Sequence, residues 1–329
     1  MKKLLIVFLM AIFANNSFAQ SDSKDYSLER LSKTFSEIDS KFSFMVNSSF
    51  KNGKLIITIE RYNDESVWEE YLEVDKMGNT SPVKYPNEEN IFTKDGKYGY
   101  VDKNGKTIIP PKYDGANDFS EGLASVLSDG KWGFINRNGE TVVPFTYSHE
   151  PRNFSDSLAC IKNDEGYGYI NHRGEIVIPC IYYSTHDFSE GLAFVQLYEG
   201  SAKKYIYNKS KYINHKGETV ISEDYYDAGE HDFHEGLAAV CEGKGTWAYI
   251  NRKGETVIPY LYSNVRKFSD GLAAVMKNGK WGYINHKGKT VIPFLYDSPG
   301  DFSEGLAVVQ KDHEWGVVDK NGKSTFDFK

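Results

Sequence analysis

The sequence predicts an all-β protein, a stacked array of three-stranded repeats that forms an open, curved solenoid behind a small α+β cap. Three observations predict this fold class. A turn glycine returns at a near-constant interval, a phenylalanine returns at the same interval, and the segments between them alternate with the period of two that is typical of strands. We take the elements in chain order.

Residues 1–19 have the composition of a secretory signal peptide. Lys2 and Lys3 precede an apolar stretch from Leu4 to Phe13, and small residues stand before the expected cut. The apolar stretch is too short to span a bilayer. We therefore expect an exported protein, periplasmic or extracellular, without a membrane span.

Residues 20–90 differ in pattern from the rest and are expected to form the α+β cap. Leu28, Leu31, Phe35 and Ile38 share one helical face, and Asn52-Gly53 is a typical hairpin turn before a strand. Repeat arrays need polar covers at their ends, and this segment would cover the first repeat.

Residues 91–329 are expected to form six full repeats and a partial C-terminal one. The turn glycines lie mostly 34 or 35 residues apart and are Gly105, Gly139, Gly174, Gly217, Gly254, Gly288 and Gly322. The phenylalanines keep the same period and are Phe119, Phe154, Phe188, Phe233, Phe268 and Phe302. Agreement of two independent markers excludes chance.

Each repeat contains a hairpin. In Lys280 to Asn285, Trp281 and Tyr283 share one strand face, and the segment after it, "NHKG", suits a tight turn. A β-branched strand returns and is expected to end at Pro293, because proline has no ladder donor. The aromatic at this position, Trp281 in this repeat, is expected in the core rather than on a sugar-binding platform.

A further strand follows each phenylalanine and carries a Leu-Ala pair and then Val or Ile. Leucine looks to one face, whereas the alanine and the β-branched residue look to the other. Both faces are therefore covered by neighbours. The alanine suggests a close approach of the next repeat.

The motif "DFSEG" before this strand is expected to be architectural. Its phenylalanine anchors the core, and the serine, the acid and the glycine turn the chain. Ser157 replaces the glycine in one copy, so we expect a backbone conformation there that does not demand glycine.

The segments "KWGFINRNGETVVP" and "KWGYINHKGKTVIP", each followed by the phenylalanine motif, resemble the WG-repeat (WG β-repeat) family over most of the chain. The resemblance implies an all-β repeat fold and carries over no catalytic residue. The fourth copy lacks the Trp-Gly pair and has Ser222 in place of proline, so its hairpin is expected to be distorted. A closed β-propeller-like ring is the alternative to the solenoid; the array starts and ends with the same hairpin, which favours the open form.

Composition and motifs exclude several functions. A formal net charge of -7 disfavours nucleic acid. Three irregularly spaced cysteines are not a disulfide framework and are expected as buried thiols. No protease, hydrolase or phosphate-loop motif is present, and the cluster "EHDFHEG" at Glu230 to Gly236 is more typical of surface polarity than of zinc. We expect no enzyme activity and no cofactor.

Two surfaces remain as candidates. Basic residues at the hairpin tips are expected to form one ribbon and the acids of the phenylalanine motif another, elsewhere. The insertion Leu197 to Lys211 lengthens the fourth repeat, and insertions in repeat arrays often lie at a binding edge. The weak candidates for a contact patch are Lys203, Lys204, Tyr205, Tyr207 and Lys209.

The leading hypothesis is a noncatalytic exported repeat protein with an extended surface that binds proteins or cell-envelope glycans. One alternative is an enzyme with an unrecognised site in the N-terminal segment or in the insertion. The other is a purely structural scaffold.

Overall fold

The structure is a computed structural model that describes residues 46–51, 54–62, 67–74, 80–83, 89–199, 204–222, 225, 232–241 and 245–324. The chain forms two compact units. One is Asn87–Leu261, and the other joins Met1–Pro86 with Tyr262–Lys329. Every regular element in the described residues is a β-strand, and none of these residues belongs to a helix that could cross a membrane.

The segment before the repeats contains an antiparallel sheet in the order β1-β2-β3-β4. Its strands are β1 (Val46–Lys51), β2 (Lys54–Tyr62), β3 (Val67–Val74) and β4 (Thr80–Val83). Lys51 pairs with Lys54, which is the register that the expected hairpin needs. Residues 52–53, the predicted helix through Leu28 and Ile38, and the predicted signal peptide lie outside the described residues.

In Asn87–Leu261 each repeat contributes three strands. The first strands are β5 (Glu89–Lys94), β9 (Leu123–Ser128), β12 (Leu158–Asn163), β15 (Ala193–Glu199) and β18 (Leu237–Cys241). The second strands are β6 (Lys97–Asp102), β10 (Lys131–Asn136), β13 (Gly166–Asn171), β16 (Lys204–Ile213) and β19 (Trp247–Asn251). The third strands are β7 (Thr107–Tyr113), β11 (Thr141–Tyr147), β14 (Ile176–Thr185), β17 (Thr219–Ile221) and β20 (Thr256–Tyr262), and β8 (Gly115–Ala116) extends one sheet.

The other compact unit continues the pattern. Its strands are β21 (Asn264–Ser269), β22 (Leu272–Lys277), β23 (Lys280–Asn285), β24 (Thr290–Tyr296), β25 (Leu306–Lys311) and β26 (Glu314–Asp319). The order β21-β22-β23-β24 is again antiparallel, and β25 pairs with β26. A single bridge joins Val318 to Ser324 where a third strand would begin.

Strand β5 is one that the sequence analysis missed. It pairs with β6 from Glu89↔Asp102 to Lys94↔Lys97 and completes a first three-stranded sheet. Its sequence, ENIFTK, lacks the Leu-Ala pair that marks the other first strands. The premise that the array starts on a bare hairpin was therefore wrong.

Consecutive sheets pack face to face, as the alternation predicted. In one layer, Leu158 and Tyr169 of one sheet meet Ala193 and Val195 of the next, and Phe188 of the intervening turn fills the space between them. The same positions form the layers around Phe154 and Phe233, and around Phe302 in the other compact unit. All-β tandem repeats with covered faces are thus confirmed.

The proline of each third strand lies within the strand, so the prediction that it ends the strand was wrong. Between the pairs Tyr283↔Ile292 and Trp281↔Tyr296 the register shifts, which makes a bulge on β24 that contains Pro293. A bulge leaves backbone donors unpaired, so the missing N–H of proline is tolerated. A Cβ on Gly282 would lie 2.7 Å from the carbonyl oxygen of Ile292. The bulge therefore explains why glycine follows the tryptophan.

The fourth repeat is distorted, as predicted. Its third strand, β17, has three residues, where the other third strands have seven or ten. Ser210 stands at the tryptophan position; its buried hydroxyl donates to the carbonyl of Tyr225 and accepts from the N–H of the same residue, at 2.9 Å each. The hydroxyl thus supplies hydrogen-bond partners to the backbone N–H and carbonyl of Tyr225, beyond the end of the short strand.

Candidate binding surface

The "DFSEG" motif is a two-residue hairpin loop in the left-handed region of backbone space. Ser120 and Leu123 exchange both backbone hydrogen bonds, and between them Glu121 has φ 50° and Gly122 has φ 87°. Ser157 has φ 73° at the glycine position, so a residue other than glycine adopts the left-handed conformation there. The loop imposes this conformation on whichever residue stands at the position.

The same turns connect one repeat to the next through two hydrogen bonds, which we call the clasp. In four turns the serine hydroxyl donates to the carbonyl of the next repeat's phenylalanine, as from Ser155 to Phe188 at 2.7 Å, whereas one turn has His234 in place of serine. The acid accepts from the N–H of the next turn's glycine position, as Glu190 does from Gly236 at 2.9 Å. The motif's polar residues are therefore used in joining repeats, which agrees with the architectural interpretation.

The hairpin tips lie against these turns. The ring of His172 stacks on Phe154 with centroids 4.3 Å apart, and its Nε2 lies 3.1 Å from a carboxylate oxygen of Glu121. His215 makes the equivalent contacts with Phe188 and, at 3.4 Å, with Asp156. The basic tips and the acidic turns therefore interleave at one edge, and the predicted segregation into two charged ribbons was wrong.

A surface pocket of about 440 Å³ opens at this edge. It is lined by Asp156, Ser157, Leu158, Asn171, His172, Arg173, Val177 and His215. The carboxylate of Asp156 already has partners, because it accepts a hydrogen bond from the N–H of Gly191 and contacts His215. The side chains of Arg173 and Ser157 make no hydrogen bond or ion pair with the described residues. The pocket therefore has uncommitted donors.

An exposed apolar row crosses the third strands of Asn87–Leu261, and we call it the outer strip. Its β-branched members are between 37% and 45% exposed and are Ile108, Val142, Val177, Val220 and Val257. Two residues further on, and on the same strand face, stand the exposed prolines Pro110, Pro144, Pro179 and Pro259. On the opposite, buried face, the tip of one repeat rests on the preceding third strand, as Gly174 does on Val143.

Sequence reasoning missed the outer strip, although the signal was present. In Thr-Val-Ile-Pro both central residues are apolar, and adjacent residues of a strand point to opposite faces. Ile109 and Val143 are buried at 1% exposure, so their apolar neighbours had to face outward. A strand pattern in the sequence shows which residue types alternate, but not which face of the strand the core covers.

The insertion of the fourth repeat lengthens a hairpin rather than a loop. Glu199 pairs with Lys204, and Tyr198 with Tyr205, which extends β15 and β16. Lys203 lies outside the described residues, and the side chains of Lys204, Tyr205, Tyr207 and Lys209 are not described. The candidate contact patch at these residues stays a prediction.

The structure also locates the tryptophans and the histidine-containing cluster that the sequence offered as candidate ligand sites. Trp247 and Trp281 are 7% exposed, which confirms their place in the core. In the cluster "EHDFHEG", His231 lies outside the described residues and Asp232 contacts His186 at 3.1 Å. Within the described residues no group of three His, Cys, Asp or Glu side chains could hold a metal ion.

All three cysteines are free and buried, which confirms the prediction for Cys160, Cys180 and Cys241. Burial raises the pKa of the Cys160 thiol to about 11, and its sulfur lies 3.0 Å from the hydroxyl of Thr185. The thiolate is the nucleophilic form of cysteine, so burial keeps Cys160 in the less reactive thiol form at neutral pH.

Stacked antiparallel sheets with clasps between repeats define a tandem β-repeat protein. The chain belongs to the WG containing repeat family, which matches six consecutive segments: 98–132, 132–166, 167–199, 212–245, 247–281 and 281–312. No curated protein matches the sequence.

Solved structures resemble the chain at low identity. BamB from Moraxella catarrhalis is 13% identical, with a TM-score of 0.45 over 84% of this chain and 98% of that one. AztD from Citrobacter koseri is 10% identical, with a TM-score of 0.42 over 86% and 93%. Pyrococcus horikoshii acylaminoacyl peptidase is 10% identical, with a TM-score of 0.47 over 89% of this chain, and the match spans about half, 53%, of the peptidase.

Proposed function

We propose that the protein is a noncatalytic, exported repeat protein that binds an extended polypeptide along the outer strip. The observation that carries the proposal is the row of exposed β-branched residues at one repeat position. A periodic apolar row that the core does not use is typical of an interaction surface.

The spacing of the row suits an extended chain. Sheets packed face to face are about 10 Å apart, and an extended chain in the polyproline II conformation rises about 3.1 Å per residue with three residues per turn, so every third side chain points the same way. Three residues of such a partner therefore span one repeat. A partner could place an apolar side chain against each member of the row in register.

Polypeptide is favoured over glycan because of where the aromatic side chains lie. Sugar-binding surfaces use exposed aromatic rings, whereas Tyr183, at 38%, is the one aromatic among the large exposed apolar side chains of the described residues, and Tyr169 and Trp247 are buried. The net charge of -7 disfavours anionic polymers. Glycan binding is therefore an outcome of the test rather than the proposal.

The test is capture of exported proteins from the source organism on the immobilised protein, beside a glycan array and a panel of hydrolase substrates. The strip variant replaces Val142, Val177 and Val257 by threonine, which keeps the shape and removes apolar surface. A second variant, Lys204→Ser with Lys209→Ser, tests the insertion patch. Partners should be lost from the strip variant and kept by the other.

Three results would contradict the proposal. These are capture that the strip variant leaves intact, binding confined to the glycan array, or turnover of a substrate. Loss of capture only in the insertion variant would favour the contact patch predicted from the sequence. A protein that binds nothing in either screen would support the structural scaffold.

Form and location belong to the same proposal. We infer an open curved solenoid in which clasps join sequence neighbours, a feature that a closed ring would share; small-angle scattering distinguishes the two forms, because the solenoid would give an elongated particle and the ring a compact one. Export predicts a mature N-terminus at Gln20, which sequencing of the protein from the extracytoplasmic fraction would reveal. An intact Met1 in the cytoplasmic fraction would contradict it.

A further inference from the structure

Two departures from the repeat pattern meet in the pocket at the turn edge. Ser157 replaces the glycine that stands in the five other copies of the turn, and Arg173 is the only arginine at the third tip position, which elsewhere holds Asn104, Asn138, Lys216, Lys253, Lys287 or Asn321. Both line the pocket of about 440 Å³. The residues common to the other copies are sufficient for the repeated fold. The presence of Ser157 and Arg173 in one cavity therefore needs another explanation.

Neither departure serves the fold. The turn forms with glycine in the other copies, and a side chain at φ 73° is less favourable than glycine. The tip forms equally with lysine or asparagine, because its glycine bonds back to the asparagine carbonyl in each repeat, as Gly174 does to Asn171 at 2.8 Å and Gly217 to Asn214 at 2.8 Å.

The pocket offers donors over an apolar wall. The guanidinium of Arg173 has five N–H donors, and Ser157 adds a hydroxyl. Leu158 and Val177 supply the apolar side. The neighbouring acids already have partners, since Asp156 accepts from the N–H of Gly191 and contacts His215, and Glu121 contacts His172 and accepts from the N–H of Ser157.

We propose that this pocket binds a carboxylate carried on a small branched apolar body, such as the C-terminal residue of a polypeptide. Arg173 pairs with the carboxylate, Ser157 donates to it, and the apolar body lies on Leu158 and Val177. Arginine suits a carboxylate because its planar fork matches the two oxygens. The inference rests on the proposed function, because Val177 belongs to both the pocket and the outer strip.

The probe is N-acetylvaline. Its binding to the full-length chain is measured by isothermal titration calorimetry. For a ligand of this size, the expected Kd is on the order of 1–10 mM. N-acetylvaline methylamide, which lacks the carboxylate, should not bind. N-acetylglutamate α-amide carries its carboxylate on a side chain, so its affinity relative to N-acetylvaline shows whether the group comes from a chain end or a side chain.

Two variants and a matched control test the residues. Arg173→Gln should weaken N-acetylvaline about tenfold or more, and Ser157→Gly, which restores the common turn residue and so preserves folding, should weaken it severalfold. Lys216→Gln, the same tip position one repeat later, should change nothing. Equal binding of the methylamide, equal weakening by Lys216→Gln, or no binding of N-acetylvaline to the wild type would overturn the proposal.

The proposed function can fail separately. The pair Val142→Thr and Val257→Thr lies outside the pocket, so it should abolish partner capture while leaving the affinity for N-acetylvaline unchanged. Capture that survives this pair counts against the outer strip, whereas Arg173→Gln that leaves N-acetylvaline binding intact counts against the pocket.

Discussion

Replacing Phe154 by alanine should remove the centre of one layer between two sheets. The side chain is 1% exposed, and its ring lies 4.9 Å from that of Phe134 and 4.3 Å from that of His172. The ring packs in one buried cluster with Leu123 and Ile161, so the substitution leaves a cavity between the sheets. The clasp of Ser155 and Asp156 would then lose the packing that positions it.

The magnitude follows from the buried area. A phenylalanine side chain buries about 150–250 Å², which at about 25 cal/mol per Å² corresponds to roughly 4–6 kcal/mol as an upper bound. Phe→Ala substitutions in cores cost about 3–5 kcal/mol. We therefore expect the free energy of unfolding to fall by about 4 kcal/mol.

The assay is urea unfolding followed by circular dichroism, with hydrogen exchange to locate the loss. The matched control is Val142→Ala in the same repeat: this side chain is 37% exposed, so its truncation should cost about 1 kcal/mol or less. Exchange should accelerate in β10 to β13 for Phe154→Ala. Equal shifts of the two midpoints would refute the assignment of the motif's phenylalanine to the core.

Three further predictions concern single contacts. Gly168→Ala should lower the free energy of unfolding by about 1–3 kcal/mol, because the new Cβ would lie 2.5 Å from a backbone carbonyl oxygen. Ala248→Gly, at the same position of another repeat, should lower it by only about 0.5–1 kcal/mol, as measured by thermal unfolding. A reversed order would contradict the close approach at the bulge. Ser189→Ala removes the clasp donor 2.5 Å from a backbone carbonyl oxygen and should cost about 1 kcal/mol, with faster exchange at the turn; unchanged exchange would argue against the clasp. Lys280 holds the pKa of Asp297 below its ordinary value of 3.8, so the stability from this pair is present above that pH and is lost as pH falls through the lower folded-state pKa. Asp297→Asn and Lys280→Met should therefore each make the urea midpoint fall less steeply at acid pH. An acid dependence that neither variant changes would refute the pairing.

The sequence by itself determined the repeat and the faces of its strands. A period kept by two markers located every turn, and the alternation in strands such as Leu272–Lys277 assigned leucine to one layer and alanine to the next. It also placed the phenylalanines and Trp281 in the core, because burial of an apolar face is recorded locally in the spacing of side chains.

Only the tertiary structure decided what stands opposite each side chain. The clasp joins Ser155 to Phe188, which is 33 residues away, and His172 at a hairpin tip contacts Glu121, which is 51 residues away. Contacts at such separations depend on how the sheets stack. A local pattern does not record that arrangement, so the charged ribbons were predicted apart and the left-handed Ser157 was not foreseen. The outer strip became visible for the same reason, once the stacking showed which of two adjacent apolar residues the core leaves exposed.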